Sequence, residues 1–180
     1  MYKSILGLLF VIITAFPCIG QISLNKDLLY GMSSSDAKAI LAKDKSYASI
    51  QFSTDVVWSI LAEDMIFEND QLKYIVLKPA GNFYGINFIK TLNHIRTSKE
   101  YLQNRNYTVE DDHPLWNRPQ AYVNENASYV SLLVNKNRNL VVKIDVERFK
   151  GSYMPTLTIT HLENMESFKE AKEQESSSGF

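Results

Sequence analysis

Between Leu140 and Phe149 the chain reads LVVKIDVERF, with Leu140, Val142, Ile144 and Val146 alternating against Lys143, Asp145 and Glu147. A period of two puts the apolar residues on one face of a strand and the charges on the other. A strand with one dry face and one wet face belongs to an antiparallel sheet, because parallel sheets are covered on both sides. The stretch NKNRN, Asn135 to Asn139, supplies the preceding hairpin turn, and AYVNENASYVSLLV before it reads as the partner strand. PTLTITHL is predicted as the final strand.

Upstream, YGMSSSDAKAIL carries a turn at Gly31 and then a helix. Ser33 can accept from the Asp36 amide while Asp36 reaches back, a capping box with Asp in place of Glu. Ala37, Ile40 and Leu41 then share one face. SYASIQFS reads as a strand, VVWSILAEDMIF as a longer one, and LKYIVLK as its return after the turn ENDQ. Ile86 to Gln103 is the longest predicted helix. Its stripe is Phe88, Leu92, Ile95 and Leu102, with Ile89 on the shoulder and Lys90, His94 and Tyr101 opposite. The order is helix plus strands, twice. The expected fold is therefore α+β, an antiparallel meander with two helices packed on one face. The units 31–78 and 84–162 are a candidate diverged duplication.

The ends read differently. Residues 1–20 carry Lys3, an apolar run from Ile5 to Phe16, and small residues at Cys18 and Gly20. That pattern predicts a cleavable signal peptide cut before Gln21, and a secreted or periplasmic, bacterial protein. The run is short for a bilayer span, and Pro17 and Phe16 suit a lipidated Cys18 poorly. The expected domain is 21–163, followed over 164–180 by a polar helix that frays into a tail. Cys18 is the only cysteine, so the remainder has neither disulfide nor thiol nucleophile. Without Lys3 the balance is 18 basic residues against 20 acidic ones, which makes no electrostatic case for nucleic acid. Sequons at Asn106 and Asn126 matter only in a glycosylating host.

The segment Tyr30 to Leu41, a Gly-Met-Ser turn into a short capped helix, resembles the start of small secreted α/β modules. The family in view joins outer-membrane assembly lipoproteins and beta-lactamase inhibitor proteins. The resemblance implies a non-catalytic binding or scaffold domain and carries over no functional residue.

Candidate chemistry is sparse. VEDDHPLWNRP places Asp111, Asp112 and His113 together as low-ranking metal ligands. Adjacent ligands on one loop seldom close a coordination shell, and His94 and His161 make no HxH or HExxH spacing with them. The segment is expected to be a solvated loop anchored by Trp116. The acid pairs Glu63–Asp64 and Glu68/Asp70 are expected on a wet face. No nucleophile elbow, Walker loop or dinucleotide fingerprint occurs, and Gly81 and Gly85 read as turn residues. Tyr84 lies near the second helix, and Tyr101, Tyr107, Trp116, Tyr122 and Tyr129 form the candidate binding surface, with core burial as the competing role. The leading expectation is a non-enzymatic module that binds a protein, peptide or glycan, with no cofactor and no membrane span after the leader. A metal-assisted hydrolase at Asp111, Asp112 and His113 is the alternative, and a carrier of a small apolar ligand is the third.

Overall fold

The computed structural model describes residues 23–43, 48–81, 86–116, 129–149 and 152–170. The signal peptide, Tyr84, Gly85, Tyr122 and Asn126 lie outside them. The fold is α+β, built on an eight-stranded antiparallel sheet. A small hairpin of β1 (Ser23–Asn25) and β2 (Leu28–Leu29) precedes helix α1 (Ser34–Lys43). Strands β3 (Ser49–Gln51), β4 (Val57–Ser59), β5 (Met65–Glu68) and β6 (Gln71–Pro79) follow. Helix α2 (Phe88–Gln103) then leads into β7 (Thr108–Asp112), β8 (Tyr129–Asn135), β9 (Leu140–Phe149) and β10 (Ser152–His161). The strand order is β3-β4-β6-β10-β9-β8-β7, with β5 also beside β6. Each helix is thus followed by its own meander, and the last strands of the two meanders, β6 and β10, form the central seam.

Local chemistry explains the turns. Ser33 Oγ accepts from the Asp36 amide at 3.2 Å and donates to the Asp36 carboxylate at 2.7 Å, closing the expected cap of α1. Gly31 sits at φ 82°, a conformation that costs glycine little, and its amide donates to Leu72 O on β6. Asn69 and Asp70 both have positive φ, which is the type I′ geometry of a two-residue hairpin, and they join β5 to β6.

The predicted long strand over 56–67 is instead broken. Ser59 pairs with Lys78 and Met65 with Ile75, so the chain spends six residues where β6 spends three. The excess forms a 3₁₀ turn at Ala62–Asp64. Asp64 folds back across it, accepting from Leu61 N at 3.3 Å and from Lys78 Nζ at 2.6 Å. Asp64 is buried and ion-paired, which corrects its assignment to a wet face; Glu63 beside it is exposed.

Both sheet faces are covered. On one, Leu72, Ile75, Val142, Ile144, Leu157 and Ile159 meet Ala37, Ile95 and Leu102 of the helices. Each such fully buried aliphatic side chain contributes roughly 1.5–3 kcal/mol. On the other, Tyr129, Leu132, Val134 and Val141 are packed by Leu162, Met165 and Phe168. The charges of β9 therefore border a second, smaller apolar cluster. The C-terminal segment, a 3₁₀ turn at Leu162–Asn164 and helical residues 165–170, covers a sheet face as well as presenting its polar side.

Candidate functional site

Helix α2 decides where a ligand can go. Asn87 caps it, accepting from Lys90 N at 2.9 Å, and Asn106, at φ 63°, ends it. Its buried residues include Thr91, His94, Ile95, Ser98, Lys99 and Leu102. That arc is turned toward His94 and away from Leu92 and Ile89, so His94 is not on a wet face as its spacing implied. The cause is Trp58 on β4. Its ring is fully buried, its Nε1 donates to Ser98 Oγ at 3.1 Å, and it meets the edge of His94 at 5.9 Å between centroids. The contact continues along the helix. Phe52 stacks on Tyr101 at 4.0 Å, and the Arg105 guanidinium covers the far face of that pair, 3.5 Å from the Tyr101 centroid.

At the N-terminal half of α2 this seam opens into a half-open cleft of about 700 Å³. The helix wall presents Ile89, Lys90, Asn93 and His94, with Ile86 just before the helix. The other wall carries Thr54 and Asp55 of the β3–β4 connection and Val57 at the start of β4, and Ala80 also lines the cleft. Ile89 is 80 % exposed at the rim. His94 Nδ1 lies 3.0 Å from Lys90 O and donates to it, so Nε2 is the imidazole atom able to meet a ligand.

The acidic segment is not a loop up to His113 but the edge strand β7, paired with β8. Successive side chains of a strand point to opposite faces, and the two aspartates obey that rule. Asp112 turns toward α2, where Lys99 Nζ reaches its two oxygens at 2.5 and 2.7 Å. Asp111 turns the other way and accepts from Tyr129 Oη at 2.8 Å. His113 Nδ1 accepts from Leu115 N at 3.2 Å. Lys99 also sits 4.4 Å from the centroid of Trp116, so one ammonium anchors both the strand and the indole. Among the described residues no three His, Cys, Asp or Glu side chains are gathered as a metal would need.

The aromatic candidates are dispersed. Tyr107 is buried in the larger core and Tyr129 in the smaller one on the opposite face. Burial, with the Asp111 hydrogen bond second, pushes the Tyr129 phenol far above its ordinary value. Tyr101 and Trp116 remain half-buried, and both already carry a cation on one face.

A second cluster of titratable groups joins the two ends of the described chain. Tyr30 Oη donates to Glu163 Oε1 at 2.6 Å and accepts from Lys73 Nζ at 3.3 Å, and His161 Nδ1 lies 3.2 Å from Glu163 Oε2. Burial and the Glu163 hydrogen bond raise the Tyr30 pKa, the reverse of what an activated phenolate needs. This cluster is a latch that ties Tyr30 and Lys73 to the C-terminal segment. Neither the cleft nor the latch has a sequence signature, because both rest on residues far apart in the chain.

No family model, no curated protein and no solved structure matches this chain. Among the described residues no helix is long and apolar enough to cross a membrane.

Proposed function

We propose that this chain is an exported, non-enzymatic binding module for a peptide, protein segment or glycan, and that the ligand seats in the cleft beside α2. The observation that carries this reading is the cleft itself, whose volume of about 700 Å³ falls within the range of ligand sites. An isoleucine left 80 % exposed at its rim offers apolar area for a ligand to cover. Its half-open form, edged by charged residues, suits a polar or extended ligand better than an enclosed apolar cargo. The competing metal chemistry loses support because Lys99 holds both oxygens of Asp112 and Tyr129 holds Asp111. Export is supported by the leader-like residues 1–20, and a binding role by the resemblance over Tyr30 to Leu41.

Native mass spectrometry of the protein recovered from its own host tests the proposal. The expected result is a chain starting at Gln21 that carries an organic adduct, lost in an Ile89→Glu variant. A bound metal lost instead in an Asp112→Ala variant would overturn it.

A further inference from the structure

Resting on the cleft as the ligand site, we infer that its ligand is a short peptide with charged termini and an apolar side chain. Asp55 stands on the hairpin wall and Lys90 on the helix wall. Neither the carboxylate nor the ammonium has an ion-pair or side-chain hydrogen-bond partner among the described residues. Two opposite charges thus border one cleft without neutralising each other or being neutralised by a neighbour. The same cleft is also lined by Val57, Ala80, Ile86 and Ile89, which are apolar. A ligand that satisfies this set has a cation at one end, an anion at the other and apolar substance between.

Other classes fit less well. An anion alone would meet Lys90 but face Asp55, and a cation alone would meet the reverse mismatch. An aliphatic ligand would cover two charges and pair neither. A glycan is ordinarily held against an aromatic ring, and no Trp, Tyr or Phe is among the described residues lining the cleft. Peptide groups, by contrast, match the Asn93 side-chain NH₂, whose Oδ1 already accepts from Arg96 Nη2 at 3.3 Å, and the His94 Nε2, which offer a donor and an acceptor for a backbone C=O and N–H.

The test is NMR titration of the full chain with Ala-Leu-Ala, its N-acetylated form, its C-amidated form and the doubly capped peptide. Cellotriose serves as the glycan probe. The free tripeptide is expected to shift the amide signals of Asp55, Lys90 and Asn93. Asp55→Asn and Lys90→Gln should each weaken it by roughly tenfold, as for a lost charge pair at a partly solvated site. Acetylation should abolish the sensitivity to Asp55→Asn, and amidation the sensitivity to Lys90→Gln. Equal binding of free and doubly capped peptides in the cleft would overturn the inference. So would cleft shifts with cellotriose alone, and either result leaves the cleft a ligand site. Silence of the cleft toward every probe would overturn this inference and count against the cleft reading too. An organic adduct lost in the Ile89→Glu variant would then show the cleft occupied by another class, and its absence would remove both.

Discussion

The Lys99 ammonium lies between the two oxygens of the Asp112 carboxylate, at 2.5 and 2.7 Å, and joins the middle of α2 to the outer strand β7. The lysine side chain is 8 % exposed and the aspartate 36 %, so most of the desolvation cost falls on the cation. Removing the aspartate strands that cation, whereas removing both groups does not.

Asp112→Ala is therefore expected to destabilise the fold by about 1–3 kcal/mol, between exposed and buried pairs in magnitude. Lys99→Met together with Asp112→Ala should recover most of the loss. Urea unfolding of the wild type, the single variant and the double variant checks this. Equal midpoints for the single and double variants would show that the unpaired Lys99 ammonium costs the fold nothing.

Trp58 joins α2 to the β3–β4 hairpin. Trp58→Ala should cost about 3–5 kcal/mol through lost burial and the cavity left behind. Trp58→Phe keeps an aromatic ring but removes the indole donor from Ser98 Oγ, whose hydroxyl still donates to His94 O, for a smaller loss of about 1–2 kcal/mol. Since Trp58 is fully buried and Trp116 half-buried, the Trp116→Phe variant should show the bluer tryptophan emission of the two single-tryptophan forms.

The Tyr30–Glu163 latch carries a pH dependence. The Tyr30 hydrogen bond, aided by His161 and Lys73, holds the Glu163 carboxyl below its ordinary value of 4.5. A depressed folded-state pKa gives stability that is full above the unfolded value and is lost as pH falls through the folded one. Melting temperature should decline below about pH 4.5 more steeply in the wild type than in Tyr30→Phe. Parallel profiles would remove the latch from the account.

At the alkaline end the sign reverses. Burial raises the Tyr107 and Tyr129 phenols above their ordinary value of 10.0. Stability is then full below that value and falls above it, as the unfolded chain ionises first. Absorbance at phenolate wavelengths should show these two tyrosines titrating together with unfolding. Smooth ionisation of both near pH 10 in the folded protein would contradict their burial.

Phe168 packs on the second sheet face, 5.9 Å from the Tyr74 ring and 5.7 Å from Lys143 Nζ. Phe168→Ala should lower stability by about 1–2 kcal/mol, given partial burial of the ring. Amide exchange should quicken in residues 162–170 while α2 keeps its protection. Faster exchange throughout would instead mark one cooperative unit.

Much of this architecture is legible locally. The alternation in Leu140–Val146, the Ser33–Asp36 cap and the Asn69–Asp70 turn each need only neighbours in the chain, and each forms, although the Asp36 carboxylate accepts from Ser33 Oγ rather than from the Ser33 amide and the charged face of β9 is covered instead of wet. The tertiary partners are not legible. His94 is buried because Trp58, remote in sequence, takes that side of α2. Asp111 and Asp112 look like solvated loop residues until Tyr129 and Lys99 are placed beside them. The strand break at 60–64 has no periodic signature, since Ile60 and Met65 stay apolar on either side of the 3₁₀ turn. The cleft is not legible for the same reason: the segments that carry Asp55 and Lys90 line one cleft only through the packing of α2 on the hairpin.

The two acids of β7 that are tied inward leave Glu110 between Val109 and Asp111, all on the outermost strand of the sheet. A sheet edge is a template on which a second molecule can extend the sheet, and the exposed Glu110 carboxylate opposes the approach of a second copy. The irregular pairing between Val109 and Asp111 also bends the strand away from the flat geometry that stacking requires. The segment that carries Asp111, Asp112 and His113 thus has a colloidal consequence: among the described residues it ends the sheet with an exposed charge that disfavours edge-to-edge association.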